Sequence, residues 1–330
     1  MSYNKPFLSY EQLINKLVSE KGLRVENRDF ARQALETYSY YDLVNGYQEV
    51  FLDNNNKYLN RITMEYLVAF HLFDKTVQSI LLKYSLQVET RFKNTLAYFL
   101  GHNLGVDVCD YLNGHYYKTK VNKTVLKKVL KRIANVHRFG DYPTKHYREN
   151  HNHIPPWILF KNTNFVDVID LYILCNQPLK HQITESLLPY PGITLDEKVR
   201  TAINALSLIR KYRNAIAHNL KFIRYQAASR HQLELPILER IVTNILVTPT
   251  DIQEGSGKND VYSMMLSILI LLNDKTLVAN YIKELLELIT PSFSRQIQDV
   301  QEGLFADYCI ITGIPEDLSS RLQTYVEEQL

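Results

Sequence analysis

From about Ile62 to Leu100, apolar residues return at three- and four-residue steps, through Leu67, Phe70, Phe73, Val77, Ile80 and Leu81 to Phe92, Leu96 and Phe99. That is the period of one face of an α-helix, and it predicts one long helix or two joined by a kink. Ser9, three residues before Gln12, is a plausible N-cap for a first helix ending near Gly22. A second helix runs through Arg28 to Leu35 and breaks at the Tyr-rich stretch 37–47, followed by a polar loop at 53–57. Residues 118–134 form an amphipathic helix, and 139–156, rich in His, Asn and Pro, read as a loop. Residues 157–176 and 178–188 predict two more helices. After the PYPG turn at 189–192, a helix extends roughly from Asp196 to Leu220. Beyond Pro236 the pattern predicts helices near 237–246, 260–272, 275–289 and 296–306. A last one follows the turn marked by Gly313 and Pro315. The expectation is an all-α fold. Its proposed divisions are an N-terminal helical region (1–60), a helical core (61–225) and a C-terminal helical region (226–330), with the polar stretch 251–260 as the best internal boundary.

Composition changes this picture little. Only 11 glycines and 11 prolines are too few for the turns of an all-β chain. The 23 tyrosines are unusual, and most should lie in or beside the core, where a phenol buries a large ring around one hydroxyl. A net charge of +3 is too mild to indicate nucleic-acid binding, so local clustering must decide. Cys109, Cys175 and Cys309 lie far apart, which suits a reducing cytosol and argues against disulfides or a zinc knuckle. The opening residues lack an apolar signal core. The most hydrophobic run, Met264 to Leu272, is well short of the ~20 residues that span a bilayer. These features predict a cytoplasmic protein without a membrane partner, and that run as a buried helix.

The segment LIRKYRNAIAHNLKF (208–222) carries Arg213, Asn214 and His218 in the spacing R-N-x-x-x-H. A histidine can take or give a proton near neutral pH. A guanidinium can grip a phosphate through two hydrogen bonds and neutralise charge that builds in a transition state. Together they suit RNA cleavage by the RNA's own 2′-hydroxyl. At about 100° per residue, Asn214 and His218 share nearly one helix face, with Arg213 to one side. As a bare pattern, Arg and His separated by four to six residues is weak, because Arg132 with His137, Arg148 with His153 and Arg224 with His231 offer it too.

Several neighbouring features admit two readings each. Lys120, Lys123, Lys127, Lys128, Lys131 and Arg132 form a basic helix in a stretch (111–140) with no acidic residue, either an RNA-backbone track or a solvated face. Glu89 could orient Arg213 as a charge partner, or form a surface i,i+4 pair with Lys93. Arg210, one turn before Asn214, could contact phosphate or simply face solvent. His146, His151 and His153 invite a metal, but no cysteine or paired carboxylate stands nearby, so no metal or cofactor is expected. Trp157, after Pro155 and Pro156, reads as a core anchor.

What raises Arg213 and His218 above their rivals is a resemblance carried by ordered elements. These are KPFLSYEQLINKL and GL (5–23), YYDLVNGY (40–47), the long helix FDKTVQSILLKYSLQVETRFKNTLAYFL (73–100), PPWILFKNTNFVDVIDLY (155–172) and RNAIAH (213–218). In this order the chain resembles the abortive-infection family of AbiD/AbiF, or Abi-like, type, a branch of the HEPN superfamily of helical RNases. Departures are Asp42 in the Tyr element, Asn162 and Val166 near the Phe-helix, and Asn219 and Leu220 after the histidine.

The resemblance implies a HEPN-type helical bundle with helical extensions at both ends. It also implies a metal-independent endoribonuclease that leaves a 2′,3′-cyclic phosphate and a 5′-hydroxyl, in a homodimer joining two R-x₄-H motifs. RNA would be the substrate, and a small RNA or a protein antitoxin the restraining partner in a phage-defence, toxin–antitoxin setting. The competing reading is a non-catalytic RNA-binding or RNA-sequestering module; a third is a protein-interaction scaffold.

Overall fold

Capping chemistry starts the helices. In the computed structural model, which describes residues 5–117, 123–219, 222–290 and 295–330, the Ser9 hydroxyl accepts from the Gln12 amide at 3.3 Å. The Gln12 side chain accepts the Ser9 N–H at 2.8 Å. This reciprocal arrangement satisfies two of the donors a helix leaves orphaned at its start.

The fold is all-α, and the described residues hold no β-strand, only isolated bridges. In chain order the helices are α1 (Tyr10–Ser19), α2 (Arg28–Tyr38), α3 (Gln48–Phe51), α4 (Met64–Leu104), α5 (Val108–Tyr111) and α6 (Lys123–Phe139). Then come α7 (Thr144–Asn150), α8 (Pro156–Asn162), α9 (Phe165–Leu174), α10 (Gln177–Leu187), α11 (Leu195–Ala217) and α12 (Leu235–Leu246). The last five are α13 (Pro249–Glu254), α14 (Val261–Leu272), α15 (Lys275–Ile289), α16 (Arg295–Thr312) and α17 (Leu318–Gln329). The long apolar pattern is thus one unbroken helix, α4.

Three stretches differ from expectation. The segment 157–176 is two helices, because Thr163 and Asn164 take extended backbone angles between α8 and α9. The expected loop 139–156 contains α7, begun after Pro143. The polar stretch 251–260 begins inside a helix: Thr248 and Asp251 form a capping box for α13, and left-handed Gly255 ends it.

The chain packs as two compact units, Met1–Ser79 with Pro291–Ile311 and Ile80–Thr290 with Thr312–Leu330. The division falls inside α4, and it does not coincide with the boundaries drawn near residues 60 and 225. In the larger unit α11 packs against α9, α10 and α14. All twelve residues of α14 are buried, as its apolar sequence requires. No helix among the described residues is long and apolar enough to cross a membrane. Phe92 of α4 packs edge-on against Phe165 and Tyr172 of α9. Arg91 Nη1 donates to the Leu271 carbonyl at 2.6 Å and that of Leu187 at 3.2 Å, and Nη2 to that of Ser186 at 2.7 Å. One guanidinium thereby serves carbonyls in the last turns of α10 and α14, which have no partner within their own helices.

The smaller unit is organised around a buried polar cluster. The Tyr47 hydroxyl donates to Asp74 at 2.9 Å and lies 3.0 Å from Nδ1 of His71. Tyr308 and Gln78 also donate to Asp74, at 3.0 and 2.8 Å. Since the Tyr47 proton goes to Asp74, its oxygen is left to accept from a protonated Nδ1 of His71. Burial, aided by Lys75, lowers the His71 pKa to about 4.

A histidine with a depressed folded pKa contributes its full stability above the unfolded value of about 6.5 and loses it as pH falls towards the folded one. On going from about pH 7 to pH 5, urea unfolding should therefore show the wild type losing about 2 kcal/mol more than His71→Gln. Asp74, whose pKa burial raises, acts in the opposite sense but is common to both proteins. Equal losses would mean that His71 is not held neutral.

Candidate functional site

The site begins with the way α11 is held. A Thr194–Glu197 capping box starts the helix, and Tyr212 near its end is buried. The Tyr212 hydroxyl lies 2.8 Å from the Tyr225 carbonyl and 2.6 Å from that of Asn259, which fixes the helix's rotational setting. With Tyr212 facing inward, Arg213 is half-buried, and Asn214 and His218 are exposed.

The His218 amide donates to the Asn214 carbonyl at 3.0 Å, the last helical bond. His218 is the C-cap, and Asn219 turns the chain away with a φ of 50°. Asparagine tolerates this left-handed conformation better than most residues, which makes it a natural helix terminator. His218 is thereby presented at the helix end, about 7.5 Å along the axis from Arg213.

Arg213 meets α4 through Glu89. Its Nη1 lies 3.3 Å from Glu89 Oε2, while Lys93 Nζ lies 2.7 Å from Oε1. Glu89 therefore contacts Arg213 and Lys93 at once, and the Lys93 pair is buried, not at the surface: the two side chains are 13% and 11% exposed. Lys93 also donates to the Thr163 carbonyl at 2.7 Å, at the break between α8 and α9. The Arg213 contact is electrostatic, since Glu89 Oε2 makes no aligned hydrogen bond among the described residues. The guanidinium is tethered without having its donors used up.

Beside this cluster lies a pocket of about 190 Å³ lined by Glu89, Lys93, Lys161, Arg213, Phe160 and Trp157, among others. Three cations face one carboxylate there, a surplus that favours an anion such as phosphate. Lys161 carried no signal in the sequence. Trp157 is not a core anchor: it is 44% exposed on the pocket wall, because Pro156 and Phe160 take the buried positions of its helix.

The remaining candidates lie elsewhere in the unit. On α6, Leu126, Val129 and Ile133 are buried while Lys123, Lys127, Lys128 and Lys131 are exposed. Lys120 lies outside the described residues. Arg132 is engaged by two acids of α9, donating to Asp167 and, at 3.0 Å, to Asp170. Arg210 is half-buried, and its charge acts on Asp170 and His231. Two rival Arg–His pairs have structural occupations as well. Arg132 has its acids, and Arg148 donates to the His137 carbonyl at 2.9 Å and to that of Gly140. Burial and the Arg148 charge lower the pKa of His137. His146 and His151 sit edge-on, 5.7 Å apart. Among the described residues no three His, Cys, Asp or Glu side chains gather as a metal site.

A family model described as Abi-like protein matches residues 33–224, more than half of the chain. The chain belongs to the Abi-like family. No curated protein and no solved structure gives a significant match. The Abi-like region takes in Tyr47 and Asp74 in the smaller unit, and Glu89, Lys93, Trp157, Arg213 and His218 in the larger.

The Glu89 cluster and the end of α11 should respond differently to substitution. Glu89→Gln leaves Lys93 and Arg213 facing each other without their shared anion, and should cost about 1–3 kcal/mol in urea unfolding. His218→Ala, at an exposed helix end, should change stability by less than about 0.5 kcal/mol. Similar losses in both would contradict this division between a supporting and a presented residue.

Proposed function

We propose that this Abi-like protein is a metal-independent endoribonuclease of abortive infection and phage defence, with a HEPN-type core and Arg213, Asn214 and His218 as its catalytic set. The observation that carries the reading is the end of α11. An exposed imidazole there follows a guanidinium that is held by charge beside a cationic pocket. The position of Arg213 lets it contact a phosphate while still tethered to Glu89.

In this reaction the RNA 2′-hydroxyl gives its proton to a histidine and attacks the adjacent phosphorus. The P–O5′ bond breaks, and the leaving oxygen takes a proton from a second acid. A 2′,3′-cyclic phosphate and a 5′-hydroxyl result. Arg213 neutralises the equatorial oxygens, and Asn214 orients the imidazole or the phosphate. One histidine cannot readily serve both sides of the phosphorus, so we infer a homodimer in which each protomer contributes one His218. A nuclease that arrests growth needs restraint, and a small RNA or a protein antitoxin would supply it.

Incubated with total RNA, the wild-type protein should cut in the presence of EDTA and leave 5′-hydroxyl ends that accept a phosphate directly. His218→Ala should slow cleavage by roughly 10²–10⁴-fold while keeping its helical circular dichroism. A well-folded His218→Ala protein that cuts at full rate would sink the nuclease reading. RNA binding with no cutting by the wild type would favour the sequestering module instead.

Mixing wild type with excess His218→Ala, under confirmed subunit exchange, tests the dimer. Activity should fall as the square of the wild-type fraction, and a linear fall would mean that one chain suffices.

A further inference from the structure

Trp157 sits unusually for the only tryptophan of the chain. The bare backbone of Gly101 on α4 lets one edge of the indole come close: a Cβ at Gly101 would stand 3.3 Å from Cζ3 of the ring and 3.8 Å from Pro156. The ring is therefore seated against the helix, yet 44% of the residue stays open. It borders two hollows. One is the cationic pocket of about 190 Å³ beside Arg213. The other, of about 430 Å³, is lined by Asn94, Tyr98, Gly101, His102 and Trp157. Tyr98 is 64% exposed and lies parallel to His102, with 1° between the rings and 6.1 Å between their centres.

We propose that this groove is the substrate track for single-stranded RNA. Trp157 divides it into two subsites and stacks a base, while Lys93, Lys161 and Arg213 hold the phosphate beside it. The inference rests on the nuclease reading of Arg213 and His218, and names the form of RNA that site accepts. Each part of the groove supplies what a single strand needs. The open indole and the Tyr98–His102 pair offer flat faces, on which any unpaired base can stack regardless of sequence. The cationic surplus lies on one side of Trp157 only, next to Arg213. It would fix the scissile phosphate at that end and leave the aromatic hollow to a neighbouring base. A duplex keeps its base faces against one another and has none to offer, so the groove selects unpaired strands.

The lone tryptophan makes the proposal directly readable. The full-length protein is titrated with a short 2′-O-methyl oligoadenylate, which lacks the attacking hydroxyl and cannot be cut by this mechanism. Indole emission, excited at the red edge of the band, is followed throughout. Stacking should quench it, and the same sequence annealed into a 2′-O-methyl duplex should not. By labelled-oligonucleotide anisotropy, Trp157→Leu should weaken binding roughly five- to 150-fold, the value of one stacked base. Trp157→Phe should recover most of that loss. Gly101→Ala, which displaces the ring by a few tenths of an ångström, should weaken binding by less than Trp157→Leu does. Quenching by single strand and duplex alike, or unchanged affinity in Trp157→Leu, overturns the proposal. If RNA is still cut while the indole never responds, the track is wrong and the nuclease reading stands. Quenching and a Trp157-dependent affinity without any cleavage uphold the track and remove the nuclease.

Discussion

Glu89 is a carboxylate almost entirely withdrawn from water, and such a group is tolerated only where cations and donors replace its hydration. Lys93 and Arg213 supply that replacement, from α4 itself and from α11. The requirement runs in both directions, since each cation is partly buried as well. Lys93 extends the cluster by donating to Thr163, which joins it to the turn between α8 and α9. Three segments distant in sequence are thus brought to one point by a single charge. The contact holds Arg213 against α4, while Tyr212 sets the rotation of α11 that exposes His218.

The same cluster explains why the pocket beside it suits an anion. Glu89 offsets one of the two cations bound to it, and Lys161 adds a third. A balanced cluster would be a structural ion pair with nothing to offer a ligand. Here Lys93 and Arg213 are partly buried beside Glu89, and the exposed His218 lies about 7.5 Å further along the axis of α11. The aromatic hollow beyond Trp157 has no such excess, so the two parts of the groove differ in chemistry although they share a wall.

The helices were legible in the sequence where their signals are local. Period and breakers located the long helix, and Ser9 with Gln12 marked the first N-cap, because both depend on residues near in sequence. The apolar run inside α14 announced a buried helix for the same reason. Glu89 posed two partners, and the fold accepts both, an outcome that spacing along one helix could not reveal. The exposure of Trp157 was hidden because aromatic residues after prolines are mostly packed. Only the approach of α4 at Gly101 leaves the ring seated on one edge and open elsewhere. Arg132 looked like part of a basic track until α9 brought two acids against it. Each of these depends on a neighbour distant in the chain, where local pattern carries no information.

Arg91 has a consequence for freedom of motion. It and Glu89 are two residues, and so about 200°, apart around α4. Glu89 is bound to α11 on one flank of the helix, and Arg91 to the carbonyl ends of α10 and α14 on another. Turning this part of α4 about its axis in either sense would strip a charged group of its partners. Sliding it along the axis would do the same to both. Within the larger unit this stretch of α4 thus behaves as a shaft keyed at two points, and adjustment to a ligand is left to the side chains that line the pocket.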